Sequence, residues 1–329
     1  MADLLGTRRL MAGGALVGCA GLALLAASQS VWQFVLVLAL VCGPAMAATF
    51  YEPVYVLMNR WFTAEERPRA YGILTLLSGF SITIYTPLTR WLVDEFGWRQ
   101  AVLVLGLILA TVGTLVPALL HEPLDARREP ERLTPRRFVA EAWQGSRQAD
   151  ARFWAFTLAF VGATVAFSGF SFHMISQLET RGFGETSVAN AIAITGIVSL
   201  PARLLLPMSS GRLPSATLLA VCFGLLASAA LLASVAGAWW QVWVYVAVFG
   251  AVFGAVYPLR ALVMSERFAG PYFGRIIGLQ ALFVAGARAL GPVTIGLIGT
   301  SQAAYEVGFR VAAGVLLLMA VLTWTSVRR

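Results

Sequence analysis

Apolar runs long enough to cross a lipid bilayer, which takes about 20 residues, recur ten times along this chain. They lie near 11–28, 33–58, 71–93, 101–120, 153–177, 187–208, 215–236, 240–264, 276–298 and 307–326. Inside hydrocarbon every backbone N–H and C=O must be satisfied within the protein, so only helices and closed barrels span. The short alternating segments of a membrane barrel do not occur in the sequence. The expected fold class is therefore an all-α polytopic membrane protein with ten spans, four in the first half and six in the second. Composition agrees, because only 12% of residues are charged against roughly 25% in a soluble domain.

The halves are related. The stretch from Tyr51 to Arg99 returns 206 positions later, so that Tyr51 maps onto Tyr257, Met58 onto Met264, Phe62 onto Phe268, Arg69 onto Arg275, Gly72 onto Gly278 and Leu76 onto Leu282. The second copy closes with Gly308-Phe309-Arg310 in place of Gly97-Trp98-Arg99. Many membrane carriers are built from such parallel repeats, with the substrate near the midplane between them. The expected domains are an N-terminal helical half (1–120), a polar linker (121–152) and a C-terminal helical half (153–329). Within the linker, Thr134-Pro135 reads as a helix start. Phe138, Val139, Ala142 and Trp143 then line up opposite Arg136, Arg137 and Glu141. That pattern fits a short amphipathic helix on the inner membrane surface, with a solvated linker as the alternative.

Charge gives the orientation. The net charge of +8 comes from arginine alone, since the chain contains no lysine. These arginines sit in short connections between apolar runs, which argues for membrane topology rather than nucleic-acid binding. Arg8, Arg9, Arg60, Arg67, Arg69, the seven arginines of 121–152, Arg212, Arg267, Arg275, Arg328 and Arg329 share one side. The other side holds little beyond Arg99, Arg181 and Arg310. Positive loops stay inside, so both termini are expected in the cytoplasm. The first run leads directly into further spans and is not read as a cleavable signal. Cys19, Cys42 and Cys222 lie in apolar runs, with no spacing for a disulfide framework or a metal site.

Several motifs resemble the major facilitator superfamily. Ala2-Asp3-Leu4-Leu5-Gly6-Thr7-Arg8-Arg9 is similar to that family's loop between its second and third helices, with Leu4 where an Arg is usual. Trp61-Phe62 … Arg67-Pro68-Arg69-Ala70-Tyr71-Gly72 … Pro87 … Gly97-Trp98-Arg99 resembles the monocarboxylate transporter-like branch and its bacterial relatives. Gly196-Ile197-Val198-Ser199-Leu200-Pro201-Ala202-Arg203 and Gly278 … Leu290-Gly291-Pro292 do so too. The resemblance implies a major facilitator-type bundle, a gating-loop motif at Asp3, Gly6, Arg8 and Arg9, and a bacterial inner-membrane location. It also implies that the ten runs correspond to the family's third to twelfth helices, with two helices expected upstream.

Charges inside spans are costly and mark function by default. Glu52 is the one acidic residue well inside a span. Burial would raise its pKa and suit a proton carrier, or it pairs with an arginine and holds two helices together. Arg90 and Arg260 read as structural, lying near enough to span ends to snorkel, with Asp94 placed to pair with Arg90. Arg288, in AGARALGP, is too deep for that, and Arg203 sits five residues from the inner end of its run. A guanidinium fork matches a carboxylate in two bonds and stays charged, so both are candidate anion ligands. The resemblance adds weight to Arg203, because monocarboxylate carriers hold a substrate-binding Arg there. They also hold an Asp four residues earlier, where this chain has Ser199. His173 is the one intramembrane histidine and is either a substrate ligand or a satisfied interfacial residue. Gly250 and Gly254 form a small-xxx-small pair, and Gly72, Gly79, Gly278 and Gly286 line the repeated spans, all read first as packing residues. Pro87 and Pro292 would kink their spans.

These features point to a secondary carrier of a small organic anion working by alternating access, with proton coupling as an open addition. The expected partners are an anionic small molecule and the lipid bilayer, with no nucleic acid, cofactor or metal, and no motif specifies an oligomeric state. A non-transporting shortened bundle or partner subunit is the alternative. A membrane enzyme is disfavoured, since only His121 and His173 are present and no span carries an acidic pair.

Overall fold

The computed structural model describes residues 6–119, 149–270 and 273–327, and among these every regular element is helical. The helices are α1 Thr7–Ala27, α2 Val31–Val37, α3 Gly43–Thr49, α4 Tyr51–Trp61, α5 Arg67–Leu119, α6 Ala151–Thr180, α7 Glu185–Met208, α8 Ser215–Val235, α9 Trp239–Phe253, α10 Val256–Arg267, α11 Phe273–Ile298 and α12 Gln302–Val327. A π-turn, Leu38–Cys42, joins α2 to α3.

Nine stretches among the described residues are long and apolar enough to cross a membrane, against ten expected. The third and fourth expected spans both lie in α5, whose 53 residues would extend about 80 Å if straight, far beyond a ~30 Å hydrocarbon core. Gly97, at φ 78° and ψ 160°, divides it. That conformation is open to glycine and strained for any residue with a Cβ, so the Gly-Trp-Arg signature is a joint between two spans. Pro87 does not interrupt the helix.

The second expected span, 33–58, falls within one stretch able to cross a membrane, Val31–Trp61, but its helix is interrupted. Phe50 adopts an extended conformation and separates α3 from α4. The cause is Pro53, which has no N–H for the carbonyl of Thr49 and whose ring crowds it. In the second half, Pro258 has the same relation to Gly254, and α9 ends at Phe253 before α10 begins. Both halves interrupt the helix ahead of a proline, by the extended Phe50 in the first and by a turn of helical backbone at Gly254–Ala255 in the second, and the hydrogen bonds that flank them agree. Ser28 Oγ donates to Leu25 O at 2.6 Å and Ser234 Oγ to Leu231 O at 2.7 Å. Phe62 N donates to Met58 O and Phe268 N to Met264 O, closing α4 and α10 alike.

The chain forms two compact units, one of Met1–Thr63, Phe80–Gly145 and Gly270–Gly278, the other of Ala64–Gly79, Ser146–Ala269 and Leu279–Arg329. In the first, small residues let α1 lie close to α3 and the π-turn. A Cβ on Gly14 would lie 2.6 Å from Ala48 Cβ, and one on Gly21 2.8 Å from Cys42 Sγ. Arg99 donates to the carbonyl of Ser28 at 3.1 Å, satisfying the end of α1.

In the second unit α6 is central, packing on α8 and α12 with Phe153, Phe156, Phe160, Phe170, Met174 and Leu178 fully buried. Lipid is as apolar as these side chains, so the fit between rings, rather than exclusion from water, selects the arrangement. Phe170 meets Phe249 and Phe309 edge-on at 5.7 and 5.9 Å, each such pair contributing about 0.5–1.5 kcal/mol.

Candidate functional site

The break between α9 and α10 organises the polar residues of the second unit. On one side α7 lies against α9 through the Gly250/Gly254 pair. A Cβ on Gly250 would lie 2.8 Å from Val198 Cβ, and one on Gly254 2.8 Å from the Ser199 carbonyl oxygen and 2.6 Å from Arg203 Cγ. On the opposite face of α7 stand Gly72 and Gly79 of α5. Gly72 faces the Leu204 backbone at 3.1 Å, and a Cβ on Gly79 would lie 3.3 Å from Arg203 Nε. Arg203 thus occupies a slot between two glycines, half-buried. Its Nε donates to Ser199 Oγ at 3.3 Å and its Nη1 to Thr75 O at 3.3 Å. The Thr75 hydroxyl, buried, lies 3.4 Å from Arg203 O in return. Packing is therefore what Gly72, Gly79, Gly250 and Gly254 do, whereas nothing lies within 4 Å of a Cβ added to Gly278 or Gly286.

Arg288 reaches the same break from α11. Its guanidinium carbon lies 4.8 Å from the centre of the Tyr257 ring, a cation–π contact, and the side chain is exposed. Tyr257, in turn, meets Phe160 and Phe167 at 6.0 and 6.3 Å. Two arginines far apart in sequence therefore contact one short segment, residues 254–257.

Arg260 corrects the sequence reading. It is 2% exposed rather than snorkelling, with its guanidinium 5.5 Å from the Phe160 ring. The reason is that α10 is enclosed on nearly every face, with Pro258 through Ser265 all buried, so the side chain meets Phe160 of α6 instead of a span end. Sequence reasoning also passed over Tyr257 and Thr75. The signal for Tyr257 was available, as the second copy of a tyrosine that opens a half-helix ahead of a proline.

His173 sits on α6, half-buried, with Nε2 2.9 Å from the Pro292 carbonyl oxygen of α11. Tyr305 lies beside the ring at 5.5 Å.

In the first unit Glu52 is the second residue of α4, half-buried, at the helix N-terminus created by the break. A carboxylate is favoured there by the helix dipole. Tyr51 and Tyr55 stack beside it at 5.7 Å. Of the gating-loop motif, Gly6 caps α1 at φ 79° and Arg8 and Arg9 are exposed in its first turn. Asp3 lies outside the described residues, as does the linker as far as residue 148.

Arg181 is more than the outer-loop arginine it appeared to be. It donates to Ser234 O and Ala236 O at the end of α8, at 2.5 and 3.2 Å, and to Glu306 Oε1 of α12 at 2.6 Å. Arg310 completes the group by donating to Glu306 Oε2 at 3.2 Å. Arg90 and Asp94 pair at 3.7 Å with both side chains exposed, a contact worth at most about 1 kcal/mol.

Comparison with known proteins bears on this arrangement. Monocarboxylate transporter 4 of Gallus gallus is 26% identical over 215 residues, covering 63% of this chain and 43% of the relative. The chain spans less than half the length of the curated relatives first matched. Among solved structures, the human organic anion transporter MFSD10 (TETRAN) superposes with a TM-score of 0.81 at 17% identity, over 98% of this chain and 78% of that one. The E. coli fucose:proton symporter FucP gives 0.70 at 10% identity, over 98% and 85%. Both likenesses concern the fold. The sequence profile of the Major Facilitator Superfamily matches residues 1–292. This integral membrane chain, with its repeated broken helices, belongs to the major facilitator superfamily.

Proposed function

We propose that the chain carries a small, monocarboxylate-like organic anion across the membrane by alternating access, as a secondary transporter. The observation that carries this reading is the pair of guanidiniums, Arg203 and Arg288, on the break at residues 254–257. Broken helices near the midplane are where carriers of this kind bind substrate. A guanidinium offers a carboxylate two parallel bonds and cannot lose its charge. Arg203 donates through Nε to the neutral hydroxyl of Ser199. The names of the curated relatives support a monocarboxylate as cargo.

In this reading Arg203 and Arg288 bind the carboxylate and Glu52 is the proton-coupling candidate. His173 lies near the substrate path, and Asp3, Gly6, Arg8 and Arg9 form the gating loop. The halves 1–120 and 153–329 move about the linker 121–152. Both termini face the cytoplasm, from the arginine asymmetry, and the resemblance to bacterial carriers points to a bacterial inner membrane. A cysteine introduced at 183 should then react with an impermeant maleimide in intact cells, and one introduced at 130 should not. The reverse pattern would invert the topology.

The function itself is tested by uptake of labelled lactate into liposomes holding the purified protein, under an inward proton gradient. Saturable lactate uptake with no uptake of the uncharged lactamide is expected. Equal uptake of the two refutes an anion site. Glu52→Gln is expected to lose gradient-driven accumulation while keeping lactate–lactate exchange. A stable Glu52→Gln protein that accumulates lactate normally removes Glu52 from the proton path. Lactate binding without flux would favour the non-transporting bundle.

A further inference from the structure

We propose that His173 is a positioning residue for Arg288, acting through the backbone of α11; this rests on the anion site proposed above. Pro292 has no N–H, so the carbonyl of Arg288, four residues earlier, lacks its usual helical donor. The turn that carries Arg288 is therefore one bond short within its own helix. Contacts from α6 fasten it instead. Gly169 and Gly291 bring the two backbones together, since a Cβ on Gly169 would lie 2.7 Å from Gly291 O and one on Gly291 2.8 Å from Gly169 N. One turn further along α6, on the same face, His173 Nε2 lies 2.9 Å from Pro292 O. A carbonyl can only accept, so Nε2 carries the proton and donates.

The other end of the arrangement also leads to α6. Arg288 lies over Tyr257, and that ring rests against Phe160 and Phe167 of α6. One helix thus fixes both the backbone from which Arg288 extends and the ring that receives its charge. Without the Nε2–H, the α11 turn loses this polar fastening to α6, and the guanidinium is no longer set for a carboxylate.

Two independent measurements test this. The chain has two histidines, His121 and His173, so nitrogen-15 histidine NMR of a His121→Gln protein reads His173 alone. A hydrogen-bonded Nε2–H tautomer is expected at neutral pH, and an Nδ1–H tautomer overturns the proposal. The second measurement is binding, with lactate as probe. His173→Leu should weaken it about 3- to 10-fold, the range of one interhelical hydrogen bond. His173→Gln, whose amide nitrogen falls near the Nε2 position, should recover most of the loss. In an Arg288→Gln background His173→Leu should add nothing, because its effect runs through Arg288. An additive loss, or a Gln variant as weak as Leu, overturns the proposal. If the Leu protein does not fold, His173→Asn, whose amide is too short to reach the carbonyl, takes its place in the same cycle. Wild-type lactate affinity in Arg288→Gln would instead refute the anion site, and the tautomer measurement would still judge the hydrogen bond.

Discussion

Arg203→Gln and Arg288→Gln should each weaken binding of a monocarboxylate about 10- to 150-fold. That is the loss expected from one charge-assisted hydrogen bond of roughly 1.5–3 kcal/mol. Folding should survive both changes. The Thr75 carbonyl that accepts from Arg203 belongs to a helix and keeps its intrahelical donor, so removing the guanidinium leaves no orphaned acceptor there. Arg288 is exposed and loses chiefly its contact with Tyr257. Equilibrium binding of labelled lactate to purified protein, beside circular dichroism of each variant, separates lost affinity from lost structure. Unchanged affinity in both variants would end the case for an anion site at the 254–257 break.

Gly254→Ala should do nearly as much damage without touching a charge. Its Cβ would fall 2.6 Å from Arg203 Cγ and 2.8 Å from the Ser199 carbonyl oxygen, closer than real Cβ atoms come. The second of these is backbone and cannot rotate away, so α7 and α9 must part or Arg203 must leave its slot. Overpacking of this kind costs about 1–3 kcal/mol, and displacing Arg203 should add a loss of anion affinity of roughly tenfold. Gly79→Ala should be milder. There the nearest atom is Leu200 Cδ2 at 2.7 Å, the end of a flexible side chain. Gly196→Ala, with nothing within 4 Å on the same α7, is the neutral control. A Gly254→Ala protein with the melting temperature and lactate affinity of the wild type would show that the slot does not hold Arg203.

The membrane class, the helical content and the repeat were legible in the residues because each is written in a long-range pattern. Twenty apolar residues at a time admit few structures, and the 206-residue echo returned as matched hydrogen bonds at Ser28 and Ser234. What was not legible depended on local backbone geometry. Hydropathy reads straight through Phe50 and Gly254, although Pro53 and Pro258 each remove a donor four residues back and break the helix. Position along the run puts Arg260 near a span end, whereas the enclosure of α10 on nearly every face buries it against Phe160. Arg203 and Arg288 were identified by depth and fork chemistry, but their meeting at one segment needed the packing of α7, α9 and α11. The glycines divided the same way. Gly254 is a contact and Gly286 is not, and spacing alone treats them alike.

The Arg90–Asp94 and Arg181–Glu306 ion pairs answer differently to the medium. Arg90 and Asp94 hold side chains 85% and 67% exposed, so water and dissolved ions weaken their attraction. Arg181 and Glu306 are 12% and 24% exposed, and screening reaches them far less. Arg181 also donates to the last carbonyls of α8. The rim where α6, α8 and α12 meet is therefore fastened by a pair that ionic strength loosens less than it loosens Arg90 and Asp94.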